Sequence, residues 1–317
     1  MHNLVVYGHL LDKEPASRKT YANSLLRNAW HLLQMFFLRP IPDAAVELQW
    51  NDQHIASTTA KDGFIKFEWV SGQTVPAGWH EVKVLHRQNG HTVTGKGELF
   101  VPHITQYAFI SDIDDTILIS HSSTKWKRLK ALLGSNARTR QVFDDVVEHY
   151  SLLAASGTTA DAPNPFFYVS SSEWNLYDFL TAFFHFNGLP KGALLLNHIK
   201  RWWQLLQTGK TKHQGKLLRI LRILEAFPNQ RFVLFGDNTQ SDPEIYYTIA
   251  KRYPQRIHAV YIRKVIEAKA AAAGALLAEL EAQYGVATCL FAHSAEAMDH
   301  SKKIGLIANV GLEVRGM

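Results

Sequence analysis

The stretch Tyr107-Ala-Phe-Ile-Ser-Asp112-Ile-Asp114-Asp115-Thr116 is an apolar run that ends in three carboxylates. Four or five apolar or small residues in a row are typical of a strand that is covered on both faces, as in a parallel α/β sheet. Ligands of such sheets gather at the carboxyl ends of the strands. The stretch therefore predicts a buried strand that brings Asp112 and Asp114 to one site, where one carboxylate attacks and the other handles protons. We expect Asp115 to point elsewhere.

The same three aspartates also admit an acidic loop without chemistry or a calcium-binding loop. An EF-hand-like loop that starts at Asp112 needs Gly at its sixth position and Glu at its twelfth, but Ile117 and Ser123 stand there. This excludes the calcium loop. Like charges this close are costly unless a cation neutralises them, so the pattern favours a metal site over an inert loop.

From residue 107 onward, apolar strands alternate with helical stretches. The predicted strands are Tyr107–Ser111, Phe166–Ser170, Ala193–Leu196, Phe232–Gly236, His258–Ile262 and Val286–Leu290. The predicted helices are Trp174–Phe186, Gly215–Phe227, Pro243–Arg252, an alanine-rich segment over 265–283, and His293–Lys302. This alternation predicts an α/β fold with a doubly wound, Rossmann-like parallel sheet. The first connection, from Ile117 to Pro165, is much longer than the others, and Trp126–Leu133 and Arg140–Ala154 are its predicted helices. We expect a lid or substrate-selecting insert at about 117–165.

The first hundred residues follow different periods. Pro15–Leu38 has apolar residues at helical spacing with basic residues beside them, which predicts an amphipathic helix that docks on the protein or, alternatively, lies on a lipid surface. Pro40 and Pro42 end this helix, and short alternating strands with turn signals follow it. They predict a small antiparallel β-sandwich. The predicted domains are therefore 1–39, 40–104 and 105–317.

Composition limits the class of protein. The 317 residues suffice for about two domains with cores, and 46% hydrophobic with 20% charged residues is ordinary for a globular chain rather than a disordered one. A single cysteine, Cys289, excludes an internal disulfide and a multi-cysteine zinc site, and it predicts a reducing, cytoplasmic location. No secretory signal and no run of about 18 apolar residues is present. The net charge of +6 suits an anionic partner without selecting one.

Further polar signals stand at or near the ends of other predicted strands. Phe166–Ser170 runs into two more serines, so Ser170 and nearby backbone N–H groups are candidates to hold an anion, although Ser172 taken alone also fits a helix N-cap. Phe232–Gly236 is followed by Asp237 and Asp242. Lys216 stands near the start of the helix that precedes this strand.

Together these signals resemble the four motifs of the haloacid dehalogenase superfamily of phosphotransferases, in the right order. Asp112-Ile-Asp114-Asp-Thr116 matches the first motif, Ser170 the second, Lys216 the third, and Gly236-Asp237 with Asp242 the fourth. A narrower resemblance covers about 107–264. Strings such as Asn164-Pro-Phe-Phe-Tyr-Val-Ser-Ser-Ser, Phe232-Val-Leu-Phe-Gly-Asp and Tyr261-Ile-Arg are similar to the phosphatidate phosphatase catalytic domain first recognised in a yeast actin-patch protein. The chain departs from that family's usual pattern at Glu173 and at Asn238-Thr239.

The resemblance implies a Mg²⁺-dependent phosphatase that hydrolyses a phosphomonoester, phosphatidate or a related lipid phosphate, through an aspartyl-phosphate. It implies Asp112 as the nucleophile and Asp114 as the acid and base, which Thr116 orients. The implied metal ligands are Asp112, the Asp114 backbone carbonyl and Asp237, with Asp242 supporting them. The implied phosphate-binding residues are Ser170, Ser171 and Lys216.

Two alternative functions are also compatible with the sequence. One is the same chemistry on a soluble phosphomonoester. The other is a lipid- or protein-binding module whose phosphatase half is inactive, but the intact set of motif residues argues against it. The expected partner is a phosphorylated substrate, with peripheral membrane contact if that substrate is a phospholipid, and no nucleic acid is expected.

Overall fold

The computed structural model describes residues 3–12, 38–88, 90–101, 107–118, 142–159, 162–197 and 211–308. Six strands from residue 107 onward form one parallel sheet. They are β7 (Tyr107–Ser111), β8 (Phe166–Glu173), β9 (Gly192–Asn197), β10 (Arg231–Asp237), β11 (Ile257–Arg263) and β12 (Ala287–Phe291). The order across the sheet is β12-β11-β10-β7-β8-β9. The chain therefore winds outward from β7 to one edge and from β10 to the other, so that β7 and β10 flank the point where the direction reverses.

Six α-helices cover both faces of this sheet within the described ranges. They are α1 (Val146–Ala155), α2 (Tyr177–Asn187), α3 (Thr211–Ala226), α4 (Asp242–Arg252), α5 (Ala270–Tyr284) and α6 (Ser294–Lys303). One hydrophobic core includes buried residues of α1, α2 and α6, and the other includes those of α3, α4 and α5. Neighbouring residues of β7 divide between the cores, since Phe109 belongs to the first and Ile110 to the second. The predicted α/β class with a parallel sheet is confirmed.

Several predicted boundaries differ from those in the structure, and three of the differences have an identifiable cause. Strand β8 continues to Glu173, and a 3₁₀ turn precedes α2, so Ser172 lies in the strand and is not an N-cap. Helix α1 begins at Val146 rather than Arg140, because Asp145 before it has φ 60° and cannot continue a helix. Helix α5 begins at Ala270 rather than 265, because Ile266 is extended (φ −106°, ψ 109°) with its backbone bonded to Asn238, and Glu267–Lys269 form a 3₁₀ turn before the helix.

The described residues before 102 form two antiparallel sheets. Their strands are β1 (Asn3–His9), β2 (Ala45–Trp50), β3 (Gln53–Thr58), β4 (Phe64–Val70), β5 (Gly78–Gln88) and β6 (His91–Val101). The sheets have the orders β1-β4 and β3-β2-β5-β6. Residues of both sheets, among them Leu4, Phe67 and Leu48, share one hydrophobic core. Strand β1 was not predicted, and the sandwich arrangement and domain boundaries stay predictions.

Two predictions fall outside the described residues. They are the amphipathic helix over 15–38, except for its last residue, and the first helix of the insert, Trp126–Leu133.

Candidate active site

Two adjacent parallel strands carry the acidic residues to one place. Asp112 follows β7, and Asp237 ends β10. The ladder between these strands extends past β7, since the Asp112 N–H donates to the Phe235 carbonyl at 2.8 Å. Asp242 begins α4, after a four-residue turn that follows β10. The reversal point of the sheet is therefore also the point where these carboxylates meet.

The loop after β7 turns sharply and keeps its carboxylates inside the protein. The N–H groups of Ile117 and Leu118 both donate to the Ile113 carbonyl at 3.0 Å. Asp115 adopts a left-handed conformation with φ 57°, which this return of the chain requires. Asp112 and Asp114 are 2% and 4% exposed. The turn thus brings both predicted carboxylates into the interior, and Asp115 is buried there as well.

Lys216 enters this acidic cluster from α3. Its Nζ lies 2.9 Å from Asp112 Oδ1 and also contacts Asp242 Oδ1. All three side chains are almost fully buried. The Asp242 Oδ2 atom accepts a hydrogen bond from the Asp237 backbone N–H at 3.3 Å. Asp242 therefore orients Lys216 and the end of β10 together, and Lys216 lies against Asp112.

The glycine before Asp237 makes this arrangement possible. A Cβ atom at Gly236 would lie 2.5 Å from Asp242 Oδ2 and 2.7 Å from the Tyr246 ring. Such contacts are too short for non-bonded atoms, so any larger residue would displace Asp242. The Gly-Asp pair seen in the sequence is thus a packing requirement of the site.

The carboxylates fit a metal ion. Oxygens of Asp112, Asp237 and Asp242 all lie within 4.8 Å of one another. The Asp112 Oδ2 atom is buried and has no hydrogen-bond partner, which is costly unless a ligand or cation binds it. Carboxylate oxygens are the ligands that hard cations such as Mg²⁺ prefer. The donor set and the unpaired oxygen are therefore consistent with a divalent cation.

Burial determines the electrostatics of this cluster. Burial raises the pKa of Asp112 well above its ordinary value, and Lys216 opposes the shift. The nearby Asp242 and Asp237 raise the pKa of Asp112 further. Burial, and then Asp242, raise the pKa of Asp237 to about 7. A bound divalent cation would reverse these shifts, because it stabilises the charged carboxylates.

The predicted hydroxyl residues lie around the same cluster. Ser170 is buried at the end region of β8, and its Oγ accepts a hydrogen bond from the Ser172 N–H at 3.0 Å. Ser171 is 7% exposed beside it. The Ser172 Oγ lies 3.5 Å from Asp114 Oδ2. Thr116 Oγ1 donates to Asp237 Oδ2 at 3.4 Å, whereas the resemblance implied that it orients Asp114.

Two arginines near the site were not among the predicted residues. Arg219 lies one turn after Lys216 on α3 and donates from Nη2 to the Ser170 carbonyl at 3.2 Å. The guanidinium of Arg263 at the end of β11 donates to the carbonyl of Thr116 at 3.1 Å. For Arg219, the spacing from Lys216 was a usable signal, because residues three apart share a helix face. Arg263 lies in the string Tyr261-Ile-Arg that is similar to the family, but that resemblance implied no role for it.

Asn238 has a role that its sequence position did not reveal. Its Oδ1 accepts hydrogen bonds from the N–H groups of Val265 and Ile266, both at 2.8 Å. Its Nδ2 donates to the Ile266 carbonyl at 2.8 Å. The residue after Asp237 therefore fastens the loop that follows β10 to the loop that follows β11. This is one of the positions where the chain departs from the family's usual residues.

The comparison with known families agrees with this geometry. Residues 107–264 match the family described as "Phosphatidate phosphatase APP1, catalytic domain". This part of the chain belongs to that family. The matched range begins with β7 and ends just after β11, so it contains every predicted site residue. The narrower resemblance, to the phosphatidate phosphatase catalytic domain, is thereby confirmed.

Two curated relatives match the APP1-type domain. Phosphatidate phosphatase APP1 of Saccharomyces cerevisiae is 32% identical over 156 residues, which are 49% of this chain and 25% of the yeast protein. An uncharacterized protein of Schizosaccharomyces pombe is 26% identical over 161 residues, or 50% of this chain and 25% of its own length. The chain thus spans about a quarter of the length of these relatives. Among solved structures, a carbohydrate acetylesterase from Xanthomonas citri matches with a TM-score of 0.28 and 10% sequence identity. The match covers 83% of this chain and 69% of the esterase chain, and its TM-score is too low to inform the fold.

Proposed function

We propose that this protein is a Mg²⁺-dependent phosphoric monoester hydrolase whose substrate is phosphatidate or a related lipid phosphate. The observation that carries the proposal is the buried contact of Lys216 with both Asp112 and Asp242, beside Asp237. So much buried charge is costly to a fold and is typical of a site that binds a charged substrate. Membership of residues 107–264 in the APP1 catalytic-domain family supports the choice of substrate.

In the proposed reaction, an oxygen of Asp112 forms a bond to phosphorus while the bond from phosphorus to the leaving oxygen breaks. Asp114 donates its proton to that leaving oxygen. Asp114 then takes a proton from a water molecule whose oxygen bonds to phosphorus. The bond from Asp112 to phosphorus breaks, and inorganic phosphate is released. Each carboxylate thus ends the cycle in its starting state.

The other site residues hold and orient these groups. Lys216, Ser170 and Ser171 would bind the phosphate oxygens that do not react. Thr116 would keep the loop after β7 in register with Asp237, to which it donates. The ligands of Mg²⁺ would be Asp112, the Asp114 backbone carbonyl and Asp237, with Asp242 in support. When bound, the ion supplies positive charge that lets an anionic nucleophile approach an anionic phosphoryl group.

Three finer assignments belong to the same proposal. The parallel sheet would be of the haloacid dehalogenase type, and the two antiparallel sheets would form a β-sandwich. The location would be cytoplasmic, with peripheral contact to a membrane if the substrate is a lipid. No helix in the described ranges is both long enough and apolar enough to cross a membrane.

The test is release of inorganic phosphate from phosphatidate in mixed micelles, measured beside a panel of soluble phosphomonoesters. We expect Mg²⁺-dependent release, with phosphatidate turned over faster than the soluble esters. Preference for a soluble ester would retain the chemistry and replace the substrate. No release from any ester, with folded protein and Mg²⁺ present, would favour an inactive binding module.

A further inference from the structure

Helix α3 carries a second cation toward the site. Arg219 follows Lys216 by three residues, so both side chains extend from the same face of the helix. Lys216 reaches Asp112, and Arg219 reaches the backbone of Ser170 at the end region of β8. The two cations therefore approach the site from one helix, Lys216 at the nucleophile and Arg219 at the end region of β8.

The hydrogen bonds of Arg219 do not engage every nitrogen of its guanidinium. Its Nη2 donates to the Ser170 carbonyl, but its Nε is buried and has no hydrogen-bond partner. Among the described residues, no carboxylate lies within ion-pair distance of it. A buried, unpaired N–H group of a charged side chain is costly, and an oxygen of a bound anion that accepts from it would remove that cost.

The charge of Arg219 interacts with that of the nucleophile, Asp112. Burial lowers the pKa of Arg219 to about 10, and Asp112 opposes that shift, so the two groups interact while the guanidinium stays protonated at neutral pH. Four acidic side chains surround the site, and Lys216 already contacts two of them. Lys216 alone leaves little positive charge for an incoming dianion. The planar guanidinium suits phosphate, whose oxygens it can bind in pairs.

We propose that Arg219 binds a non-bridging oxygen of the substrate's phosphate group and thereby selects for phosphomonoesters over diesters. The inference rests on the proposed function, because it deepens the recognition of that same phosphate. A monoester offers two negative charges and three free oxygens, whereas a diester offers one charge and two free oxygens. Arg219 and Lys216 together match the monoester.

The test compares Arg219→Gln with Arg222→Gln in the full-length chain with Mg²⁺. Arg222 lies three residues further along α3 and is exposed, so its substitution removes the same charge from the same helix outside the site. The substrate is p-nitrophenyl phosphate, and inorganic phosphate is the competing inhibitor. We expect Arg219→Gln to raise both KM and the inhibition constant of phosphate by about tenfold or more, the loss of a charge-assisted hydrogen bond. Arg222→Gln should change neither by more than about twofold.

A binding measurement separates this inference from the proposed function. Calorimetric titration of inorganic phosphate into Asp112→Asn, with and without Arg219→Gln, reports phosphate affinity without turnover. If the wild type hydrolyses no ester but Arg219→Gln still abolishes phosphate binding, the proposed function fails and the inference stands. If the wild type is active and Arg219→Gln leaves KM, inhibition and binding unchanged, the inference is overturned and the function stands.

The competing explanation is that Arg219 only supports the Ser170 backbone. In that case Arg219→Gln would lower the melting temperature and kcat with phosphate affinity unchanged, and this result would also overturn the inference. Arg219→Lys keeps the charge and one donor group but not the planar geometry. We expect it to recover part of the phosphate affinity, which a loss of backbone support alone would not produce.

Discussion

The antiparallel and parallel sheets of this protein place charge differently. In β4, buried Ile65 and Phe67 alternate with exposed residues, and the ion pair between Lys66 and Glu68 is about half exposed on both sides. In β10, only the first residue, Arg231, is exposed, and in the buried run from Phe232 to Asp237 the sole charged residue is Asp237 at the end of the strand.

Buried charge indicates the position of a functional site more clearly than exposed charge does. An exposed ion pair costs little to form and contributes little to stability, because water and salt screen it. The ion pair of Lys216 with Asp112 has both side chains 5% exposed or less, where desolvation is expensive. A fold that retains such a costly cluster uses it for function rather than for stability. We expect substitutions in the buried cluster to have larger effects than substitutions of exposed charges.

The largest expected effect is on turnover. Asp112→Asn and Asp114→Asn should each lower phosphate release by several orders of magnitude, because covalent and proton-transfer steps act as a unit. Their melting temperatures should stay near that of the wild type, since Asn has the same shape and relieves repulsion among buried carboxylates. Activity of Asp112→Asn within about tenfold of wild type, in protein shown by mass spectrometry to be free of deamidation, would contradict the assignment.

The second-largest expected effect is the loss of activity when the metal ion is removed. Excess chelator should abolish phosphate release and added Mg²⁺ should restore it, because three buried carboxylates suit a hard cation. Asp237→Ala should reduce activity more than Asp242→Ala, since Asp242 is already engaged with Lys216. The measurement is the rate against free Mg²⁺ concentration for each variant. Full activity in excess chelator would remove the metal from the proposal.

Lys216→Met tests the stability side of the contrast directly. In metal-free protein it leaves buried Asp112 and Asp242 without their cation, and we expect a loss of about 3 kcal/mol in the free energy of unfolding. Lys66→Met, the matched variant in the antiparallel sheet, should leave the melting temperature close to wild type. Added Mg²⁺ should stabilise Lys216→Met more than wild type. If chemical denaturation showed equal losses in the free energy of unfolding for the two substitutions, the contrast between buried and exposed charge would be contradicted.

The smallest effect concerns a buried group outside the site. Burial lowers the pKa of His149 to about 3, and Arg263 and Lys302 lower it further. The unfolded chain therefore binds this proton first, near its ordinary pKa of 6.5. The contribution of His149 is fully present above that pH and is lost as pH falls toward 3. Between pH 7 and 5.5 the loss is about 1 kcal/mol.

His149→Phe isolates this contribution. Ser301 loses its bond to His149 but keeps those to Tyr261 and to the Ala297 carbonyl, so the surrounding network remains. Unfolding free energies of both proteins at pH 7 and 5.5 should show the weaker pH dependence in the variant. Identical pH dependence would mean that the pKa of His149 in the folded state is close to its value in the unfolded chain.

Much of the site could be predicted from the sequence because its signals are local. Asp112 and Asp237 directly follow apolar runs that only a buried strand explains, and Ser170 stands at the end of another. The strand Tyr107–Ser111 has the predicted bounds. One boundary failed because a distant residue decided it. Helix α5 starts late because Asn238, about thirty residues earlier, engages Val265 and Ile266.

The sequence alone thus determined the α/β class, the strand ends that carry carboxylates and the family of residues 107–264. Only the tertiary structure decided which groups touch. That Lys216 lies against Asp112 follows from the passage of α3 over the sheet, and that Arg263 bonds to Thr116, 147 residues away, follows from the strand order. The physical reason is that hydrophobic periodicity specifies which side of an element is buried, whereas contacts between polar groups depend on how elements distant in the chain pack together.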